Sequence, residues 1–187
     1  MHSPGSTREW IALARFNNRL GRGMLVLAAA PLLIGGAGES NTAEGRWLAA
    51  HNRVRAQTGV PPLAWNPALA VSAQRWADHL ARTGGFHHYK PHRDDPDPQG
   101  ENLWAGTRGY YGWDAMVKAW ADEKRHFVNA RVPANSTTGR FEDVGHYVQL
   151  VWRRTGEVGC AMATGQDEDV LVCRYAEGGN VVGERPY

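Results

Sequence analysis

The stretch EDVGHYVQLVWRRT, residues 142–155, is an apolar run that contains a histidine. A period of two residues predicts a strand with one face formed by His146, Val148, Leu150 and Trp152. A period of 3.6 residues predicts instead a helix whose buried face is formed by Val144, Tyr147, Val148 and Val151. A run this short is compatible with both periods, so its structure and the surroundings of His146 stay open at this point.

Upstream of this stretch, two patterns predict the start of a helix. Asn41 followed by Glu44 resembles a capping box and predicts a first helix that extends to about Arg55. Asn66 followed by Pro67 predicts a second helix, because asparagine caps free amides and proline suits the first helical position.

The remaining segments complete the predicted order of elements. Residues 84–108 read as a long irregular loop, and residues 112–128 predict a third helix with an apolar face. After the opening stretch, residues 157–164 and 169–176 predict an antiparallel hairpin. This order indicates an α+β fold, with helices packed on a small antiparallel sheet.

The N-terminus has the three parts of a secretory signal peptide. A basic flank precedes the apolar run of residues 24–34, and small residues follow it. The run is shorter than the roughly 20 residues that a membrane span needs. We therefore expect residues 1–37 to be a signal peptide, with a mis-assigned start or an uncleaved anchor as alternatives. Residues 38–187 would be one secreted domain, extracellular or, in a Gram-negative cell, periplasmic.

The distribution of charge argues against a nucleic-acid partner. The whole chain carries a formal net charge of +2, but residues 1–37 contain four arginines and one glutamate. Residues 38–187 therefore carry about −1 and offer no excess of basic side chains to a phosphate backbone. We expect a monomer.

The chain has two cysteines, Cys160 and Cys173, one on each strand of the predicted hairpin. In an exported protein such cysteines are expected to pair. The loop that they close is short, and the disulfide would stabilise the fold by about 3 kcal/mol in the chain-entropy description. Their spacing excludes a CxxC metal knuckle.

Three segments combine residues that bind metals with apolar neighbours. They contain His87 and His88 with Glu101, then Glu123, then His146. Imidazole nitrogens and carboxylate oxygens suit zinc or a similar divalent ion, or a general acid–base pair. None of the segments has a diagnostic spacing, so structural roles remain open: a loop tie for Glu101, a solvated or capping residue for Glu123, and a core histidine for His146.

Four motifs in this order resemble the signatures of the CAP superfamily: the cysteine-rich secretory proteins, antigen 5 and the pathogenesis-related class-one proteins. They are HNRVR (51–55), GENLW (100–104), GHYVQLVWRRT (145–155) and VLVCRYAEGGNVVGERPY (170–187). The resemblance extends from Trp47 to the C-terminus. It implies an α-β-α sandwich in which the run GHYVQLVW begins as a helix and leads into the sheet.

The resemblance also implies a central cleft with two histidines and two glutamates. Matched motif by motif, the four residues are His88, Glu101, Glu123 and His146. His87 and His92 compete with His88, because the loop that follows it is longer than usual. In relatives this tetrad can hold zinc or another divalent ion, and two neutral imidazoles with two carboxylates would balance a dication. A divalent metal, with zinc as a candidate, is the expected cofactor.

Four further residues near the cleft are expected to be structural: His51, Asn52, Asn102 and Gln149. His51 and Asn52 belong to the first predicted helix, where hydrogen bonds that fasten the helix to loops are the expected role. Gln149 is expected to be a buried amide with the same kind of role.

The superfamily includes binders of sterols and related lipids, so the leading hypothesis is a secreted lipid-binding protein in defence or host interaction. The aromatic side chains expected to wall an apolar groove are Tyr89, Trp104, Tyr110, Tyr111 and Trp113. Packing between helices is the alternative role for such residues.

A metal-dependent hydrolase or protease is the second hypothesis, in which the ion would lower the pKa of a bound water. No nucleophile or other catalytic residue is predicted, and an enzyme is the less favoured reading. A third hypothesis is a scaffold for a protein partner or a precursor of a C-terminal signalling peptide. The tail resembles that of plant members, but Arg174 and Glu177 replace their asparagine and proline.

Overall fold

The computed structural model describes residues 41–90 and 99–187. In chain order its elements are α1 (Ala43–Ala56), β1 (Ala64–Trp65), α2 (Pro67–Thr83), β2 (Gly100–Thr107), α3 (Trp113–Ala121), α4 (Gly145–Leu150), β3 (Glu157–Thr164) and β4 (Glu168–Ala176). The predicted signal peptide, residues 1–37, lies outside the described residues. Within the described part of the chain, no helix is long and apolar enough to cross a membrane.

The two predicted caps have different outcomes. Asn66 caps α2 as predicted, because its side-chain oxygen accepts from the amides of Ala68 and Leu69, and Pro67 takes the first position. At α1 the predicted cap, Asn41, is wrong: the hydroxyl oxygen of Thr42 accepts from the Gly45 amide at 3.2 Å. Asparagine and threonine are both good caps, and the sequence pattern could not choose between two adjacent candidates.

The four strands form one sheet in the order β1-β3-β4-β2. Strands β3 and β4 form the predicted antiparallel hairpin, and β4 also pairs antiparallel with β2. The two-residue strand β1 joins β3 in parallel, so the sheet is mixed rather than purely antiparallel. Cys160 and Cys173 face each other in the hairpin register and form the predicted disulfide.

Strand β2 corrects the prediction of an irregular loop over residues 84–108. Its eight residues, Gly100–Thr107, pair along their whole length with β4. The strand has no simple apolar alternation, because Leu103 packs towards α2 while its neighbour Asn102 is a buried polar residue. Because Asn102 is polar but buried, β2 lacks the alternation of apolar and polar residues on which strand prediction depends.

The helices cover both faces of the sheet and confirm the α-β-α sandwich. Helix α2 packs on one face through its small and apolar side chains: Ala73, Ala77 and Leu80. Helices α1, α3 and α4 cover the other face around Trp47, Trp120 and Tyr147. Gly159 of β3 permits close packing of α2, because a Cβ at this position would clash with the backbone of residues 66–70.

The opening stretch forms a short helix, so the 3.6-residue period is correct. The four residues of its predicted helical face are all completely buried: Val144, Tyr147, Val148 and Val151. His146 lies off this face, and 31% of its side chain is exposed. His146 is therefore at the border of the core rather than inside it.

The third predicted helix, residues 112–128, is shorter than expected. Helix α3 ends at Ala121, and the chain continues as a tighter 3₁₀ turn, Asp122–His126. This turn carries Glu123, whose carboxylate contacts the first turn of α4. Glu123 thus connects the end of α3 to the start of α4.

Candidate functional site

The first polar pair of the cleft consists of His88 and Glu101. Glu101 is the second residue of β2, and His88 lies in the segment that follows α2. The Nδ1–H of His88 donates to Glu101 Oε1 at 2.6 Å, and the Tyr89 amide donates to the same oxygen at 3.0 Å. The Glu101 side chain is only 7% exposed, so its carboxylate is fixed in one place.

Arg174 holds the other oxygen of this carboxylate. It stands directly opposite Glu101 in the β2–β4 register, and its Nη2 is 2.9 Å from Glu101 Oε2. The contact is an ion pair without hydrogen-bond alignment, and in the described part of the chain neither Glu101 Oε2 nor Arg174 Nε has a hydrogen-bond partner. The guanidinium also lies 4.8 Å from the centre of the Tyr89 ring, a cation–π contact.

Burial lowers the pKa of Arg174, and the neighbouring Glu101 and Tyr89 oppose this shift. The sequence pattern indicates Arg174 only as a departure from the plant members and does not predict its place beside Glu101. The available signal was a lone arginine inside the apolar run DVLVCRYA, since a buried charge needs a partner.

The second polar pair consists of Glu123 and His146. The Nδ1–H of His146 donates to Glu123 Oε1 at 2.6 Å. Glu123 Oε2 accepts from the backbone amides of His146 and Tyr147, both at 3.0 Å. These amides are free donors at the start of α4, and a carboxylate there is favourable for the helix dipole as well. Trp120 stacks on the imidazole, with the two planes 15° apart and the ring centres 6.1 Å apart.

Strand β2 brings the two pairs to the same edge of the sheet. Glu101 contacts His88, and the next residue, Asn102, donates its Nδ2–H to the His146 carbonyl at 3.2 Å. The two polar pairs are therefore linked through neighbouring residues at the start of β2, Glu101 by its side chain and His146 by its backbone carbonyl.

His87, the first rival of His88, points elsewhere. Its ring packs edge-on against Trp76, and its carbonyl accepts from Trp76 Nε1 at 3.2 Å. The structure thus brings His88 and not His87 to Glu101. The second rival, His92, lies outside the described residues.

The four cleft residues do not converge as four direct ligands of one ion. Within residues 41–90 and 99–187, only one group of three or more metal-type side chains has all its ligand atoms within 4.8 Å of one another. That group is His51, Cys160 and Cys173, and its two cysteines form the disulfide. In the cleft, each carboxylate instead holds the Nδ1 side of a histidine.

Three of the residues expected to be structural make hydrogen bonds that connect separate segments or turns of the chain. His51 Nδ1–H donates to the Trp47 carbonyl at 2.7 Å, and its Nε2 accepts from the Tyr175 hydroxyl at 2.9 Å. Asn52 bonds both backbone groups of Leu63. Gln149 accepts from the Gly179 amide at 2.8 Å and so fastens the C-terminal tail to α4.

Burial controls the charge of His51. The side chain is completely enclosed, which lowers its pKa from 6.5 to about 4, and only part of this shift is opposed by the hydrogen bond to Trp47. His51 is therefore neutral at physiological pH.

A separate cavity of about 600 Å³ lies between α1, α3 and the 3₁₀ turn that follows α3. Its floor is formed by small and apolar side chains together with one buried tyrosine: Ala50, Val54, Val117, Ala121 and Tyr147. Its rim is charged: Arg53, Asp114, Lys118, Asp122, Lys124 and Arg125. The five aromatic residues expected to wall a groove do not line this cavity.

Those five aromatic residues mostly contact one another or the helices. Trp104 and Tyr111 meet edge to face at 5.1 Å, and Trp113 packs on Trp47 at 6.4 Å. Tyr110 is 76% exposed and lies beside Tyr111. The two tryptophans pack against neighbouring rings, whereas the three tyrosines, Tyr89, Tyr110 and Tyr111, are 43–76% exposed and do not line the cavity.

The three-layer fold and the motifs around the two polar pairs define a class of α-β-α sandwich proteins, and comparison with known proteins identifies the family. Residues 48–175 match the CAP family model, described as the cysteine-rich secretory protein family. The chain belongs to this family.

Its relatives include the pathogenesis-related proteins of plants. It is 32% identical over 157 residues to pathogenesis-related protein 1B of Nicotiana tabacum, covering 83% of this chain and 88% of the relative. It is 36% identical over 142 residues to pathogenesis-related leaf protein 4 of Solanum lycopersicum, covering 75% and 81%.

Solved structures agree on the fold. The crystal structure of NaASP2 with Zn²⁺ superposes with a TM-score of 0.66 at 23% identity, covering 81% of this chain and 88% of that one. The structure of BmVAL-1 has a TM-score of 0.63 at 22% identity, covering 81% and 85%.

Proposed function

We propose that the chain is an exported, defence-type or host-interaction CAP protein whose cleft binds a divalent metal through His88 and His146. The observation that carries this proposal is the pair of 2.6 Å hydrogen bonds from histidine Nδ1 to a glutamate. A carboxylate behind a histidine fixes the ring, selects the tautomer with the proton on Nδ1 and raises the basicity of Nε2.

The donor set fits a metal with two imidazole ligands better than one with four protein ligands. Because Nδ1 of each ring is engaged by a glutamate, the ligand atom of each histidine would be Nε2. The absence of any converging group of three among the described cleft residues agrees with this assignment. The two glutamates would orient the rings and supply negative charge close to the ion.

A metal held in this way would supply Lewis acidity, with coordination positions left for water or a ligand. Zinc is the first ion to test, because imidazole suits it and a protein of the same fold, NaASP2, has been crystallised with Zn²⁺. The exposed fractions of the two histidines, 25% and 31%, leave an approach from solvent.

Calorimetric titration of the purified domain with zinc tests this proposal. The wild type is expected to bind one ion, and His146→Ala to lower the affinity at least tenfold. Glu123→Gln keeps the shape but removes the charge, and should lower the affinity by 10–100-fold, the usual range for such outer partners.

His126→Ala is the matched control, because His126 lies near Glu123 in sequence but bonds the Arg125 side chain instead of a carboxylate. Its zinc affinity should equal that of the wild type. Equal affinities for all four proteins would refute a metal site in the cleft.

The cavity between α1 and α3 supports a second function, the binding of an amphipathic lipid. Its volume of about 600 Å³ is in the usual range for small-ligand sites, which combine an apolar wall with a few polar groups. The apolar floor suits an acyl chain or sterol, and the rim, with four basic and two acidic side chains, suits an anionic or hydroxyl head group.

Equilibrium binding of a fluorescent sterol and a fluorescent fatty acid tests this second function. Val54→Trp fills the floor of the cavity and should weaken binding at least tenfold. Val71→Trp is the matched control, because Val71 is 53% exposed on α2 and does not line the cavity. If both variants bind the lipids equally well, the lipids do not bind in the cavity between α1 and α3.

A further inference from the structure

The C-terminal tail, residues 177–187, lies as a ribbon against two other segments of the chain. Its backbone makes two hydrogen bonds of 2.9 Å with the backbone of Val132. Further along, the Pro186 carbonyl accepts from the Arg153 amide at 2.8 Å. The tail therefore brings the loop around Val132 and the segment that follows α4 onto one surface.

Four arginines gather on this surface, and all four are exposed: Arg131, Arg153, Arg154 and Arg185. These four residues define the tail surface. Two of them hold the ribbon, because the Nη1 of Arg131 donates to the Gly183 carbonyl and the Nη1 of Arg185 donates to the Asn129 carbonyl. Each of these guanidinium groups is fixed by one bond and keeps its other N–H groups for a partner.

The positive charge of the tail surface is not balanced by its neighbours. Within residues 41–90 and 99–187, Glu184 is the only carboxylate that pairs with any of the four arginines, and its partner is Arg154. The acceptors of Arg131 and Arg185 are carbonyl oxygens, which carry no full charge. A local excess of positive charge therefore lies on a domain, residues 38–187, whose net charge is about −1.

We propose that the tail surface binds an acidic polysaccharide through the carboxylate groups of its uronic acids. The planar fork of a guanidinium matches the two oxygens of a carboxylate, and arginine keeps its charge over the whole physiological pH range. Because two of the guanidinium groups are already held by the backbone, less side-chain freedom is lost on binding.

This binding is separate from both activities proposed above. In the described part of the chain, none of the four arginines lines the cavity between α1 and α3 or bonds to a histidine or glutamate of the two polar pairs. The tail surface can therefore be tested without zinc and without a lipid ligand.

Two other polyanions fit the tail surface less well. A lipid surface needs an apolar anchor beside the basic residues, usually Trp, Phe or Leu, whereas the exposed large apolar side chain of the tail is Val182. A single-stranded nucleic acid needs aromatic rings on which its bases stack. The aromatic ring of the tail, Tyr187, packs against Phe127 instead.

Fluorescence anisotropy with a labelled oligogalacturonide, a chain of uronic acids, tests the proposal. The purified protein is expected to bind it at low ionic strength, and added salt should weaken the binding because the arginines are exposed. The methyl-esterified oligomer has lost its carboxylate charges and should not bind. Absence of binding to the charged oligomer, or equal binding to both oligomers, would overturn the proposal.

Arg153→Gln with Arg185→Gln removes two charges from the tail surface and should lower the affinity about tenfold. Arg75→Gln with Arg82→Gln is the matched control, because it removes the same charge from exposed positions of α2, in the other helical layer. The control should bind like the wild type. Equal losses in the two double variants would show that net charge alone decides the affinity, and this result would contradict the proposal.

Two further measurements complete the test. If circular dichroism shows that the double variant loosens the fold, Arg153→Gln alone replaces it, because the Arg153 side chain makes no hydrogen bond within the described residues. This single variant should still weaken binding about threefold. Vesicles of phosphatidylserine and phosphatidylcholine provide the second ligand: binding to vesicles that depends on these arginines, without binding to the oligogalacturonide, would replace the polysaccharide by a lipid surface.

Discussion

The histidines of α1 and of the cleft are held in similar ways but in different surroundings. His51, His88 and His146 each donate Nδ1–H to an oxygen at 2.6–2.7 Å. For His51 the acceptor is a backbone carbonyl and the side chain is sealed in the core, whereas the cleft histidines face carboxylates and remain 25–31% exposed. A carbonyl partner with full burial makes a structural histidine; a carboxylate partner with an exposed edge makes a candidate ligand.

Two buried arginines repeat this contrast. Arg55 of α1 is completely buried and donates to four carbonyl oxygens: those of Pro61, Leu150, Trp152 and Thr155. Among the described residues it has no ion pair with a carboxylate, and burial lowers its pKa to about 10, so it stays charged at neutral pH. Arg174, in the cleft, pairs with Glu101 instead. The first arginine fastens the backbone, and the second positions a functional carboxylate.

The largest effect on stability is expected from Arg55→Leu. The substitution removes the guanidinium donors of four carbonyl oxygens: the buried oxygens of Leu150 and Thr155 lose their donor, whereas the Trp152 oxygen keeps the Thr155 amide. Each buried group left unsatisfied costs about 1–3 kcal/mol. We expect the free energy of unfolding in urea to fall by about 4 kcal/mol or more. Arg53→Leu, two residues away and 51% exposed, is the control and should change it by less than about 1 kcal/mol. Similar losses for both would contradict the assigned role of Arg55.

Arg174→Leu is expected to lower the free energy of unfolding somewhat less than Arg55→Leu does. It leaves the Glu101 carboxylate, 7% exposed, without its cation, and breaking such a buried pair typically costs about 3–5 kcal/mol. Urea unfolding should show a loss of about 3 kcal/mol. The exposed pair of Arg154 with Glu184 supplies the comparison, because Arg154→Leu should cost no more than about 1 kcal/mol.

The lowered pKa of His51 predicts that the fold loses stability at mildly acidic pH. Its pKa is about 4 in the folded chain and 6.5 when exposed, so below pH 6.5 the unfolded chain binds a proton that the folded chain excludes. The contribution of neutral His51 to the free energy of unfolding is complete above pH 6.5. It falls by about 3 kcal/mol as the pH decreases to about 4. The free energy of unfolding, measured in urea at several pH values in this range, should change less with pH in His51→Gln than in the wild type. An equal dependence on pH in both proteins would exclude His51 as the cause.

The smallest effect on stability is expected from His146→Ala. The side chain is 31% exposed, so losing its pair with Glu123 should cost about 1 kcal/mol. Its effect on zinc should be large by comparison: addition of zinc should raise the melting temperature of the wild type but not of the variant. If zinc still stabilises the variant, the ion does not bind through His146.

Much of the fold could be predicted from local patterns. The cap of α2 at Asn66, the hairpin and its disulfide, and the α+β sandwich are all confirmed. They were predictable because a cap, a turn and a cysteine pair each depend on a few residues close together in the chain or paired across one hairpin. The failures lie where a local signal was ambiguous or hidden: the cap of α1, strand β2 and the end of α3.

The cleft residues could be named from their motifs, but their partners could not be assigned. His88 was chosen over His87 only by the tertiary structure, which places one ring on Glu101 and the other on Trp76. The part played by Arg174 also depends on the register of β2 with β4, which pairs residues 73 positions apart. Such contacts leave no periodic signal in either segment.

By itself the sequence determined the family, the order of most elements and the residue types that gather in the cleft, because motifs and caps are written in neighbouring residues. Only the tertiary structure decided which oxygen each histidine faces, that His146 lies at the border of the core, and that two arginines are buried for different reasons. Burial and hydrogen-bond partners depend on chain segments that meet only after folding, and these two quantities set the charge and the chemistry of a side chain.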